Sequence, residues 1–282
     1  LWRRPWARAT LLLGPVLAWF VVIYLASLLL LLVTAFWQIN PFTTNIEQIW
    51  NLQNFQTITT DPTYRAIVLR TIGMAAAVTA TDTVLAFPFA YYMARVASRR
   101  VQTALFAAVL LPLWASYLAR LYAWILILNH DGLLNWALLG LHLPAANLGY
   151  TNWAMWIVFS YIWLPFMIIP TYAALERIPS SYLEAASDLG ARPARATGTI
   201  VLPLALPGIV AGSIFTFSLT LGDFVTPLLV GGAGSTLIGN VIYSNVGIAH
   251  NIPFAAALAI VPIVVMAIYL LGARRLGAFE AM

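Results

Sequence analysis

Residues Glu184–Pro203, EAASDLGARPARATGTIVLP, form a polar, arginine-bearing stretch set between two long apolar runs. The runs beside it are suited to lipid, whereas this segment is suited to contact with a soluble partner. The contrast decides the fold class, because such an insert is a connecting loop once its neighbours are read as membrane spans.

Composition supports that reading. The chain is 62% hydrophobic and 8% charged, against about 25% charged for an ordinary soluble domain. Cysteine is absent, which excludes disulfides, thiolate metal sites and thiol nucleophiles. Lysine is absent too, and all 14 basic residues are arginine. That removes a P-loop and Schiff-base chemistry from this chain, since both need a lysine. A net charge of +5 raises nucleic acid as a partner, but the arginines sit in short clusters at the ends of apolar runs. That is the pattern of membrane topology, and no nucleic-acid partner is expected.

A helix crosses the hydrocarbon layer with about 20 apolar residues. Six stretches qualify: Leu11–Phe36, Ala66–Met93, Val101–Leu128, Trp153–Leu175, Leu204–Val230 and Phe254–Gly272. The expectation is an all-α membrane protein with six transmembrane helices, residues 1–282 forming a single membrane domain with a polar loop at 176–203. The chain starts at Leu1 rather than Met, from which a short preceding piece is expected. Its basic start and first apolar run resemble a signal peptide. The run is too long for that and lacks a small-residue cleavage site, so it is read as the first span.

Arginines flank alternate connections: Arg3, Arg4 and Arg8; Arg95, Arg99 and Arg100; Arg177, Arg192 and Arg195; Arg274 and Arg275. The other connections hold only Arg65. Positive residues stay on the cytoplasmic side, so both termini and the polar stretch are expected there. Trp37–Arg65, His130–Asn152 and Gly231–Pro253 are then the outer loops. Trp37, Trp50, Tyr150 and Trp153 fall near the outer boundary, where amphipathic rings settle. Pro88, Pro112, Pro165, Pro170, Pro207, Pro227 and Pro262 lie inside spans and kink them. Together they favour a transport path over a plain anchor.

The polar loop has its own local logic. Ser181 and Glu184 have capping-box spacing, which predicts a short helix over Tyr182–Leu189. Gly190 suits the left-handed residue that ends it, and Arg192 and Arg195 follow the negative end of its dipole. Ala185, Ala186 and Gly190 would let a partner approach the backbone, with Tyr182, Leu183 and Leu189 as apolar anchors.

A charge near the bilayer centre costs roughly 2.5–3.5 kcal/mol on insertion scales, so it should face a cavity or a partner. Asp82 lies 13 residues before Arg95, well inside the apolar layer. Asp223 stands between Gly222 and Pro227, where its helix is expected to break. Freed carbonyls and a carboxylate there would attract an organic cation, with Trp114, Tyr117, Trp163 and Phe217 as aromatic faces. Arg120 is placed towards the outer interface. The alternatives are structural: Asp82 or Asp223 pairs with Arg70 or Arg120, or Asp223 caps a helix end. His130, His142 and His250 all fall in outer loops without metal-site spacing. Gly231–Ser235 lacks lysine and reads as a flexible outer connection.

Glu184-Ala185-Ala186, then three residues, Gly190, nine residues and Ile200-x-Leu202-Pro203 resemble the EAA signature of bacterial ABC importer permeases, in residue type and in spacing. Other stretches are similar to permeases of spermidine/putrescine importers: Pro88–Tyr92, Arg120–Trp124, Gly132–Asn135 and Leu221–Pro227 with Gly231-Gly232. Together these cover most of the chain, and Asp82 departs from the apolar or small residues expected of such relatives. The resemblance implies the type I importer architecture in the bacterial cytoplasmic membrane. It also implies a coupling helix seated in a cleft of an ATPase subunit, with Glu184, Ala185, Ala186 and Gly190 as coupling positions; the local reading of the loop adds Ser181, Tyr182, Leu183, Asp188, Leu189 and Arg192 to that surface.

The partners implied are a second permease, two ATPase subunits, a periplasmic or extracellular binding protein and membrane lipid. No cofactor is expected on this chain, with ATP and Mg on the ATPases. Polyamines or a related organic cation are the expected solute. Sulfate, molybdate, ferric iron or thiamine are the alternatives on the same mechanism. An ion-gradient-driven carrier using Asp82 and Asp223 is a further one; an intramembrane enzyme finds no supporting residues.

Overall fold

The computed structural model describes residues 5–40 and 43–275, with side chains from residue 12 onward in the first helix. Arg3 and Arg4 of the basic start lie outside the described residues. In chain order the elements are α1 (Pro5–Trp19), a π-helical segment Phe20–Leu25, α2 (Ala26–Thr34), β1 (Gln38–Ile39), β2 (Ile46–Glu47), α3 (Gln53–Thr60), α4 (Pro62–Arg95), α5 (Arg99–Trp114), α6 (Tyr117–Leu128), α7 (Leu133–Gly140) and α8 (Asn152–Glu176). There follow α9 (Ser180–Asp188), α10 (Pro193–Ala196), a second π-helical segment Thr197–Val201, α11 (Leu202–Gly222), α12 (Val225–Leu229), α13 (Ile238–Gly247) and α14 (Ile252–Arg275).

Five helical stretches are long and apolar enough to cross a membrane: Leu12–Thr34, Pro62–Arg95, Asn152–Glu176, Pro193–Gly222 and Ile252–Arg275. The sixth span is a bent pair, Arg99–Trp114 with Tyr117–Gly140, meeting at 96°. With the bent pair counted as one span there are six among the described residues, and the third is broken where the sequence predicts one continuous helix. Ala115 and Ser116 are extended, with ψ of 145° and 135°, directly after Pro112 has weakened the last turn of α5. The fifth span is also interrupted, as expected, with Asp223 extended at ψ 127° between α11 and α12.

Among the described residues, those up to Arg65 together with Val241–Val261 form one compact unit, and Ala66–Asn240 with the stretch from Pro262 to Arg275 forms another. In the first unit β1 and β2 pair antiparallel, Gln38 opposite Glu47 and Ile39 opposite Ile46. The Glu47 carboxylate accepts from Asn40 Nδ2 at 2.7 Å and Gln38 Nε2 at 3.2 Å, bonds that hold it below its ordinary pKa. Asn54 Nδ2 donates to the carbonyls of Ala35 and Trp37 at 2.9 and 2.8 Å, fastening α3 to the end of the first span. Phe254 meets Tyr64 edge-on at 5.1 Å. No side chain of Phe20–Leu25 or α2 is buried within the chain.

The second unit is organised on α8, which is apolar around its whole circumference, as a central helix must be. Its half towards Glu176 packs on α11, running antiparallel. A Cβ on Gly208 would fall on the Ala174 methyl and lie 2.5 Å from the Pro170 carbonyl oxygen. One on Gly212 would lie 2.8 Å from Met167 Sδ. Small residues permit this backbone approach, the usual means of joining helices in lipid. Gly231 and Gly232 are equally confined, a Cβ on Gly231 lying 2.5 Å from the Pro227 carbonyl and one on Gly232 striking that of Tyr150. The expected flexible connection is thus a tightly packed turn, glycine serving close approach rather than mobility.

Candidate functional site

Two regions of the second unit carry the expected functional residues. The first is the connection from α8 to α11. Helix α9 starts at Ser180, after Pro179 with φ −63° and ψ 140°, and no side chain caps it. The expected capping box does not form: proline holds the chain extended up to residue 179, so Ser181 already lies within the first turn and cannot act as N-cap. The C-terminus follows expectation. Gly190 has φ +79°, its N–H donates to Ser187 O at 2.8 Å, and the Ala191 N–H donates to Ala186 O at 2.9 Å. This is the Schellman arrangement.

Leu183 and Ala186 face inward, Leu183 against a cluster of Ala90, Leu175, Val201 and Ala205. The outward set is Ser181, Tyr182, Glu184, Ala185, Asp188, Leu189, Gly190 and Arg192. Leu189 is 89% exposed, an apolar side chain left uncovered on a polar loop. Beside Tyr182 an apolar groove of about 440 Å³ runs between Pro170, Ala174 and Arg177 on one side and Pro207 and Gly208 on the other.

The second region is the meeting of the two broken spans. Asp223 Oδ1 accepts from the backbone N–H of Val225 at 2.7 Å and of Thr226 at 3.1 Å. Its Oδ2 accepts from Thr226 Oγ1 at 2.8 Å and from the Tyr117 hydroxyl. The carboxylate thus caps the start of α12 and ties it to the first residue of α6. Asn240 Nδ2 closes the opposite side by donating to Phe224 O at 2.8 Å. Tyr117 stacks on Trp163 with centroids 6.2 Å apart. Trp163 is eleven residues into α8, about 17 Å from its start, a rise equal to about half of a 30 Å hydrocarbon layer.

Arg120 sits one turn along α6, its guanidinium 5.8 Å from the Tyr117 ring centroid. Its Nε and Nη1 are shielded and without hydrogen-bond partners. This places it at the junction rather than towards an interface, because the break starts α6 at mid-depth. Trp114, at the break itself, is 85% exposed. Phe217 is not part of the junction: it is buried and stacked on Tyr269 at 4.4 Å, beside Ala75 and Leu221.

Asp82 is fully buried, and neither carboxylate oxygen has a partner. The Ser160 hydroxyl is the polar group nearest to act on it, though the two do not meet in hydrogen-bond geometry. Of the structural alternatives, the pairing of Asp82 or Asp223 with Arg70 or Arg120 does not occur: among the described residues the only ion pair is His130 with Asp131 at 3.2 Å. Arg70 instead donates to the Thr236 carbonyl at 3.3 Å. Sequence reasoning missed Thr226 and Asn240. The Asp-x-x-Thr spacing ahead of Pro227 is a helix-start signal that could have found the first; nothing local marks the second.

A model of the family described as binding-protein-dependent transport system inner membrane component matches residues 86–277. The chain is 49% identical to the inner membrane ABC transporter permease protein YdcU of Escherichia coli (strain K12), covering 96% of this chain and 90% of that protein. It is 32% identical to the spermidine/putrescine transport system permease protein PotB of Haemophilus influenzae, covering 90% and 88%. Among solved structures it resembles a chain of a bacterial alginate ABC transporter in complex with an alginate pentasaccharide-bound periplasmic protein. The TM-score is 0.79 at 21% identity, over 96% of this chain and 93% of that one. At this identity the likeness carries the fold alone.

Proposed function

The chain belongs to the family of binding-protein-dependent transport system inner membrane components, and from that premise we propose that it carries polyamines or a related small organic cation as one permease of an ATP-driven importer. It is a multi-pass inner-membrane permease subunit of an ABC importer. In our reading the arginine-rich connections, the α9 loop and both termini face the cytoplasm, following the charge asymmetry. A binding protein delivers solute to the opposite face. A second permease completes the path, and two ATPase subunits hold the ATP and Mg. The outward face of α9, with Glu184, Ala185 and Leu189, is the surface one ATPase grips. Closure of the ATPases pushes that helix and rocks the spans between outward- and inward-open states.

The observation that carries the cation reading is Asp223, a carboxylate at mid-depth where two broken spans meet. Its hydrogen-bond donors are all neutral, and Arg120, although at the same junction, makes no ion pair with it, which leaves the carboxylate available to an ammonium group. Irregular backbone at this depth is tolerated where it lines a cavity or is buried in protein. The names of the relatives point the same way, spermidine/putrescine permeases at 32–34% identity. One observation favours a second cargo: the unpartnered nitrogens of Arg120 would suit an anion. An anion site would also draw on a helix N-terminus, but the first N–H groups of α12 are already taken by Asp223.

The test is uptake by proteoliposomes holding the complete transporter and its binding protein, with spermidine, putrescine, sulfate and molybdate compared. Polyamine uptake is expected, falling at least about tenfold in Asp223→Asn, the equivalent of roughly 1.4 kcal/mol of lost charge attraction. Uptake of the anions, or an Asp223→Asn transporter indistinguishable from wild type, would remove the cation path from this junction. ATP-independent uptake by the chain alone would instead favour an ion-gradient carrier.

A further inference from the structure

The connection to α8 and α11 is covalent, so these two helices follow any movement of α9. Helix α4 is not their neighbour in sequence, yet it belongs to the same core beneath α9 through Phe87, Ala90, Tyr91 and Ala94. Those contacts are apolar and can slide. One bond set does not slide. The Nη2 of Arg95, the last residue of α4, donates to Leu175 O at 2.6 Å and to Ile178 O at 2.5 Å. Leu175 lies in the final turn of α8, and Ile178 lies two residues before α9 begins.

Leu175 O, in the last turn of α8, also accepts from the backbone N–H groups of Arg177 and Ile178, and Ile178 O lies just past the helix, where carbonyls run out of intrahelical donors. The helix dipole also favours a cation there. Arg95 is engaged in no ion pair among the described residues, and its Nε is shielded from solvent without a partner. The guanidinium is therefore committed to backbone on both sides of the junction that feeds α9. A second tie runs beside it, Gln102 Nε2 of α5 to the Tyr172 hydroxyl of α8 at 2.6 Å.

We propose that Arg95 is a positioning residue for coupling: it locks the end of α4 to the α8–α9 junction, so that a stroke entering through α9 moves α4 together with α8 and α11. The proposal rests on the importer reading above. A long side chain suits this role, since a single nitrogen reaches one carbonyl in the last turn of α8 and one in the turn that follows it.

The experiment uses the reconstituted transporter with both permeases, ATPases and binding protein, and measures spermidine imported per ATP hydrolysed. In Arg95→Met the ratio is expected to fall about tenfold, the loss of one charged hydrogen bond's worth of linkage, while the ATPase still co-purifies with the permeases. Arg95→Lys is expected to recover most of it, because one ammonium can also donate to both carbonyls. An unchanged ratio in Arg95→Met, or equal losses in the two variants, overturns the proposal.

If Arg95→Met does not reach the membrane, the wild-type residue is tested instead. The chain has no cysteine, so spin labels at Tyr92→Cys on α4 and Asp188→Cys on α9 report one distance. A separation that stays constant through the ATP cycle supports the tie, and one that changes between states overturns it. Glu184→Arg is run alongside. If it leaves solute-stimulated ATP hydrolysis intact, it is the importer reading that fails, independently of Arg95.

Discussion

Helix α8 is held at its two halves by unlike means. Towards Glu176 it lies against α11 along a seam where Gly208 and Gly212 leave no room for another carbon. Towards Asn152 it faces two short helices, α6 and α12, whose broken ends are joined by Tyr117, Asp223 and Thr226. The seam is steric, made of backbone against backbone, and has one arrangement. The junction is polar, made of orientable hydroxyls and a carboxylate, and its partners can be exchanged. The seam adjoins the α9 loop, where in the proposed function a stroke would enter; the junction is where a solute would pass.

Gly208→Val gives the largest expected effect. Its added carbons would strike Ala174 and the Pro170 carbonyl, neither of which is the tip of a flexible side chain. Overpacking of this kind costs up to about 3 kcal/mol. The purified permease is expected to melt well below wild type, and uptake is expected to be lost. A variant that melts and transports normally would show that the seam has slack, and the contrast with the junction would vanish.

Tyr117→Phe tests the other half and should cost less. It removes one of four donors to Asp223 and leaves Val225, Thr226 N–H and Thr226 Oγ1 in place. Loss of a hydrogen bond to a charged group amounts to about 1.5–3 kcal/mol, and partial re-solvation from the path should hold it at the lower end. The expected signature is a raised half-saturating solute concentration with a melting temperature close to wild type. A large drop in melting temperature with unchanged solute dependence would make the junction structural, like the seam.

The spans were readable because hydrophobic length is a strong signal, and the α9 loop because Gly190 and the charges around it break that signal abruptly. The break at Ala115–Ser116 was not read, although the apolar run Val101–Leu128 has 28 residues, more than a straight crossing needs. Surplus length beside Pro112 was the available clue. The Asp223 break was read, from Gly222 and Pro227, but its Tyr117 partner lies 106 residues away. No local pattern encodes such a pairing. The same holds for Arg95, whose position reads as topology and whose bonds to Leu175 and Ile178 depend on how α4 and α8 pack. Phe217 shows the reverse: aromatic spacing cannot distinguish a ring on a path from one buried against Tyr269.

The smallest expected effect falls on the loop that the seam anchors. Gly190 has φ +79°, yet a Cβ there would meet nothing within 4 Å. Gly190→Ala therefore carries only the backbone cost of a left-handed residue, about 1 kcal/mol. Because the seam is rigid, that cost should stay in the turn: α9 frays at Ser187–Gly190, and the ATPase binds somewhat more weakly while the melting temperature of the spans is unchanged. Gly190→Asn should cost less, since asparagine tolerates the conformation better. Titration of the ATPase onto permease-bearing nanodiscs measures both. An equal loss in the two variants, or a lowered melting temperature in either, would mean that strain in the loop reaches the helices, and that seam and loop yield as one body.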